Sequence, residues 1–86
     1  MNPRELLDTA RQQVGELTGF PVESVSSLER DGDERWVVTV EVLELERVPN
    51  TMDLLASYAI TLSDDGDVVG FSRRRRYHRA AEDGRR

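Results

Sequence analysis

Eighty-six residues suffice for one domain around one modest core and fall short of two independently stable units. Acidic residues outnumber basic ones 17 to 12, and the resulting formal net charge of −5 works against general attraction to nucleic acid or to anionic membranes. With no cysteine and a single histidine, the chain supplies neither a disulfide framework nor a thiolate metal site, so a protein without metal or cofactor is expected. No apolar run approaches the roughly 18 residues of a membrane span, and the N-terminus reads as an amphipathic helix with acidic residues, not as a signal peptide. The expectation is a soluble cytoplasmic protein with no membrane partner. All 12 basic residues are arginine, a bias that a GC-rich genome explains as readily as selection for guanidinium chemistry.

The first segment, "MNPRELLDTARQQVGELTGF", carries a helix start: Asn2 can cap, Pro3 suits the first helical position, and Glu5 sits where a capping box reaches back. Leu6, Leu7, Ala10, Val14 and Leu17 recur at intervals of three and four, which predicts one buried stripe. Gly19 followed by Pro21 predicts a stop near Thr18.

From Val25 the period becomes two. "VSSLER" and "RWVVTVEVLELER" flank "DGDE", where Asp31-Gly32 suits a tight turn, so an antiparallel hairpin is expected. Trp36, Val38, Val40 and Val42 share one face, but Leu43 and Leu45 continue the apolar pattern on the opposite parity. A β-bulge near Val42-Leu43 restores a single buried face; a sheet apolar on both faces is the alternative. After a turn at "VPNT", a third strand is expected from about Leu54 to Ser63. Asp64-Asp65-Gly66 then fits a three-residue loop leading into "VVGFSRRRRY". The architecture predicted is α+β: one helix packed on a mostly antiparallel four-stranded meander, α-β-β-β-β. It forms a single domain over residues 1–78, followed by a polar, frayed tail over 79–86.

If Ser63 pairs with Asp67, strict alternation sets Leu62 against Val68, Ile60 against Gly70 and Tyr58 against Ser72 on the helix-covered side. The other side then carries Ala59 with Phe71, Ser57 with Arg73 and Leu55 with Arg75, with Tyr77 beyond. Four consecutive arginines are thereby divided: Arg73 and Arg75 on the open face, Arg74 and Arg76 toward the rim of the core. Leu55, Phe71, Arg73, Arg75 and Tyr77 form a mixed aromatic and guanidinium face, the composition of a partner-binding surface. The structural reading of the same residues is an edge strand protected by charge, with the arginines balanced by Glu41, Glu44 or Glu46. A third reading, a regulatory nucleic-acid-binding protein using Arg73 to Arg76, lacks basic residues elsewhere and any recognised binding motif.

No catalytic residues emerge. Ser72 and His78 lie close in sequence, but nothing signals an orienting third group or an oxyanion donor pair, and His78 reads as an exposed residue at a strand end. Asp64, Asp65 and Asp67 read as turn chemistry, since the loop lacks the ligand spacing of a calcium site. Trp36 reads as a core or hairpin-packing residue. A ligand site between helix and sheet, beneath Trp36 and Tyr58, is the least supported reading because the core side chains suffice to fill that space.

The chain from about residue 5 to 79 resembles the gas vesicle protein O family. The resemblance rests on the N-terminal helix, "LTGFPVESVSSLER", "ELERVP" leading into "DLLASY", and "LSDDGDVVGFSRRRRYHR". A looser likeness to small helix-plus-meander domains of the PepSY type concerns the fold alone. The family resemblance implies a non-enzymatic accessory role in forming the gas vesicle, a gas-filled protein shell used for buoyancy, with other gas vesicle proteins as partners and no catalytic residues to carry over. It implies a cytoplasmic, gas vesicle-associated protein. An exposed edge strand also offers a route to a homodimer.

Overall fold

The computed structural model of the 86-residue chain describes residues 1–79. Helix α1 runs from Pro3 to Thr18 and begins with the expected capping box. The Asn2 Oδ1 accepts from the Glu5 N–H at 2.8 Å, and the Asn2 N–H donates to the Glu5 carboxylate at 3.0 Å. It ends at Gly19, whose φ of 75° is open to glycine at little cost and whose N–H donates to the Gly15 carbonyl. Leu6, Ala10 and Val14 are fully buried, with Leu7 packed beside them. The stripe stops one turn earlier than its periodicity implies: Leu17 is 53% exposed. It belongs to the final turn, and Phe20, turned back by Gly19, packs on the core at that end instead.

Four strands follow, β1 (Val22–Arg30), β2 (Arg35–Leu45), β3 (Leu54–Ser63) and β4 (Val68–His78), with a short 3-10 turn at Asn50–Met52. They form one antiparallel sheet in the order β1-β2-β3-β4. The expected α-β-β-β-β architecture is what the chain adopts. Helix α1 lies over β1, β2 and β3. Beneath it the core comprises Val38, Val40 and Val42 from β2 and Ala56, Ile60 and Leu62 from β3, all fully buried. Burying each such aliphatic side chain contributes roughly 1.5–3 kcal/mol, which makes this layer the main source of stability.

Both hairpin turns use a left-handed glycine, Gly32 and Gly66. In the second, the Ser63 N–H donates to the Asp67 carbonyl at 2.9 Å and the Asp67 N–H donates to Ser63 Oγ at 3.1 Å, the expected three-residue loop. At the same end Trp36 packs on the core while its Nε1 donates to Asp64 at 3.0 Å and Arg30 lies over its ring at 4.5 Å. This is the hairpin-packing role its position suggests.

Departures from strict alternation shape the rest. On β1, Glu23 and Ser26 are extra residues without a Cα partner, so Val22, Val25 and Leu28 come to lie opposite Val42, Val40 and Val38. The strand starts three residues before the two-residue period becomes visible and delivers an apolar side chain to the core at every third position. On β2 the bulge falls at Glu44, slightly beyond the Val42-Leu43 slip that predicted one. Leu43 therefore remains on the face away from the helix, opposite Leu55, and Leu45 beyond it is 45% exposed.

Candidate functional site

Among the described residues strand β4 lies at the sheet edge, paired with β3 alone, and is exposed along most of its length. Its register begins as expected, Leu62 opposite Val68, and then shifts twice. Val69 and Arg74 are extra residues. Ile60 consequently faces Phe71 and not Gly70, Tyr58 faces Arg73 and not Ser72, Ala59 faces Ser72, Ser57 faces Arg75, and Leu55 faces Tyr77. Alternation counts residues, whereas each bulge adds one and reverses the parity that follows.

The residues Leu55, Phe71, Arg73, Arg75 and Tyr77 are therefore not on one face. Phe71 and Arg73 lie on the helix side, beyond the reach of α1. Phe71 stacks on Tyr58 with ring centroids 5.2 Å apart and planes 9° from parallel, and remains 38% exposed. Arg75 and Tyr77 lie on the open side, where the Arg75 guanidinium sits 4.3 Å from the Tyr77 ring centroid. Leu55 is on the open side but buried, at 5% exposure, so it supports Tyr77 from below and offers little contact area. Arg74, expected on the core-facing parity, instead lines the open face with Arg75.

Two carboxylates from β2 receive these arginines, one on each face. On the helix side the bulged Glu44, its side chain 5% exposed, accepts from Arg76 Nε at 2.9 Å, lies 3.7 Å from Arg73 Nη1, and is reached by the Tyr58 hydroxyl at 3.4 Å. On the open side Glu41 accepts from Ser26 Oγ at 2.7 Å, from Ser57 Oγ at 2.5 Å and from the Tyr77 hydroxyl at 2.5 Å. Burial pushes the Glu41 carboxyl up, but the three hydrogen bonds, from Ser26, Ser57 and Tyr77, together with the nearby Arg75 charge, outweigh it and hold the group below its ordinary value. Of the three acidic residues expected to balance the arginines, Glu41 and Glu44 do so. Glu46 is exposed and makes no ion pair among the described residues.

Around Glu41 the open face forms a concavity of about 450 Å³ lined by serine and threonine hydroxyls, Arg74, Arg75 and Tyr77. This concavity lies across the sheet from the helix and not beneath Trp36 and Tyr58. Among the described residues no group of three or more His, Asp or Glu side chains is placed to hold a metal ion, and no helix is long and apolar enough to cross a membrane. His78 is the exposed last residue of β4.

A third ionic cluster closes the strand's far end. Arg79 donates to Asp53 and to both oxygens of Glu23, each at 3.1–3.2 Å, and its backbone N–H donates to the Asp53 carbonyl at 3.0 Å. These hydrogen bonds hold the guanidinium still more firmly protonated than usual. The first residue of the expected frayed tail is thus tied to β1 and to the start of β3. The remainder of that tail, 80–86, lies outside the described residues.

A charged edge strand stabilised by carboxylates on both faces narrows the candidate families little, but its sequence does. The family model described as gas vesicle synthesis protein GvpO matches residues 1–83. The chain belongs to this family. It is 51% identical over 82 residues to gas vesicle protein O of a Streptomyces species, covering 95% of this chain and 63% of that protein. It is 39% identical over 70 residues to gas vesicle protein O1 of Halobacterium salinarum, covering 81% of this chain and 58% of that one. To gas vesicle protein O of Haloferax mediterranei it is 34% identical over 70 residues, covering 81% and 50%. The chain thus spans between half and two thirds of the length of these relatives. No solved structure gives a significant match.

In this member of the GvpO family, sequence reasoning missed the depth of the Glu44 and Asp53 sites. "ELE" in an acid-rich chain is unremarkable until a bulge turns Glu44 inward. Asp53, 3% exposed, accepts from the Arg47 N–H at 2.8 Å as well as from Arg79, contacts between segments that composition leaves unconnected. The repeated RRRR itself was the usable signal, because so many guanidiniums on one strand require nearby carboxylates.

Proposed function

We propose that the chain is a non-enzymatic accessory protein in gas vesicle formation, acting in the cytoplasm by contact with other gas vesicle proteins through β4. Membership of a gas vesicle synthesis family supports the process. The observation that carries the contact surface is the strand itself: Val68, Val69 and Phe71 are 39%, 50% and 38% exposed, side by side with an arginine run, at a sheet edge that α1 leaves uncovered. Exposed aromatic and aliphatic side chains next to guanidiniums are the composition of binding anchors, which combine contact area with directed hydrogen bonds.

The test is capture of gas vesicle proteins by the tagged chain from cells expressing a gas vesicle gene cluster. Phe71→Ala acts on the helix side and Arg75→Glu on the open side, so the two variants assay the two faces separately. Loss of capture in either, with the fold retained by circular dichroism, supports the reading. Capture unchanged in both removes β4 as the contact surface. The alternative, a nucleic-acid binder using Arg73 to Arg76, predicts complexes that weaken steeply with salt, and their absence at low salt removes it.

A further inference from the structure

The outer edge of β4 has no strand paired to it among the described residues. Both outer strands have a described neighbour on one side only, but β1 is packed under α1 through Val22, Val25 and Leu28, whereas α1 is not packed over β4 in the same way. An 11-residue strand with one free edge can accept a further strand, the usual way an extended peptide joins a sheet. The question is which strand the side chains admit.

Charge decides it. On the helix side a single carboxylate, Glu44, serves both Arg73 and Arg76, whose side chains remain 47% and 54% exposed. Arg74, carried outward on its bulge, makes no ion pair with any described residue. Glu44 therefore balances one of these three guanidiniums and leaves a local surplus of positive charge in a chain whose overall charge is −5. A second copy pairing antiparallel through β4 sets this run against its own equivalent at the roughly 4.8 Å spacing of neighbouring strands, where like charges oppose each other. A polynucleotide meets the surplus as well, but it also meets the acidic turns Asp31 to Glu34 and Asp64 to Asp67 and cannot use the backbone edge. An extended acidic polypeptide satisfies both features.

We infer that the free edge of β4 binds an extended, acidic segment of a partner protein by strand addition, with carboxylates on one face over Arg73 and Arg76, on the other over Arg74, and an apolar residue at the Val69-Phe71 end. This rests on the proposed protein-binding role of β4 and names the chemistry of the partner.

The experiment titrates the isotope-labelled chain, followed by NMR, with a peptide of about ten residues repeating two threonines and two glutamates, so that both faces carry carboxylates, long enough to span the strand. Parallel arms use the same repeat with lysine in place of glutamate, a glutamate peptide of equal charge with proline at every other threonine position, and a thymidine oligonucleotide. The expected result is shifts and slowed amide exchange confined to β4 with the threonine-glutamate peptide. Arg74→Glu should weaken binding about fivefold, the size of effect expected from reversing one exposed charge. Because Arg74 has no described ion pair, that variant should keep the wild-type fold. The inference is overturned by no shifts at millimolar peptide, by shifts away from β4, by equal binding of the lysine peptide or the proline peptide, or by tighter binding of the oligonucleotide at the same strand. If instead the tagged chain captures gas vesicle proteins while the glutamate peptide fails, the contact role of β4 stands and only the acidic-strand mode is lost.

Discussion

The two outer strands of the sheet each carry two bulges, and the bulges have opposite consequences. On β1 the extra residues Glu23 and Ser26 allow Val22, Val25 and Leu28 all to turn toward α1. On β4 the extra residues Val69 and Arg74 scatter an aromatic and arginine run over both faces, beyond the strands that α1 covers. A bulge therefore has no fixed role of its own. Under a helix it is stabilised by added burial, and at an open edge it is stabilised by the ion pairs and stacking that the reoriented side chains find, here with Glu44, Glu41 and Tyr58. The outer strand under the helix serves the fold, and the outer strand beyond it is the one proposed to meet partners.

The largest expected effect separates the two regions by stability. Leu6→Ala, in the helix that covers the β1 side, should lower the unfolding free energy by about 3 kcal/mol, since the side chain is fully buried, whereas Phe71→Ala on β4 should cost about 1 kcal/mol. Denaturant titration of both checks this, and equal losses would mean that β4 belongs to the cooperative core after all.

Next in size is the carboxylate behind β4. Glu44→Ala strands Arg73, Arg76 and Tyr58 without their shared acceptor and should cost about 1–2 kcal/mol, a figure held down because both guanidiniums are about half exposed. Thermal unfolding of Glu44→Ala beside Glu46→Ala, at an exposed position, distinguishes the clamp from a general charge effect.

A smaller effect is expected on acid stability. The Glu41 carboxyl is held below its ordinary 4.5 in the folded protein, so the ionised form favours folding. That contribution is complete above pH 4.5 and is lost as the pH falls through the lower folded-state value. Glu41→Gln should show a flatter decline of stability below pH 4.5 than the unmodified chain, measured by urea unfolding at a series of pH values. An unchanged slope would separate Glu41 from the acid response.

The smallest stability change, within about 0.5 kcal/mol of zero, is expected for Arg74→Glu, an exposed residue on a bulge with no described ion pair. Its effect should appear in binding alone. A marked fall in melting temperature would show that the bulge depends on this side chain.

Much of the framework was legible from local rules. The capping box at Asn2 and Glu5, the stop at Gly19, the turns at Gly32 and Gly66, and the helix-facing alternation of Trp36, Val38, Val40 and Val42 each depend on residues within a few positions of one another. Family membership was legible for a similar reason, since "ELERVP", "DLLASY" and "RRYHR" are contiguous strings. The face on which Phe71 and Arg73 lie was not. It depends on two insertions in the pairing ladder, and the preference for those insertions comes from Tyr58 and Glu44 on other strands.

The amino-acid order by itself determined the element types, their sequence and the arginine-rich character of the last strand, because helix caps, turn glycines and apolar periodicity act at short range. Only the tertiary structure decided which arginine meets which carboxylate. A bulge exchanges the two faces of a strand at little local cost, so the choice falls to the burial of Val25 and Leu28 under α1 on one edge, and on the other to the stacking of Phe71 on Tyr58 and the nearly buried Glu44.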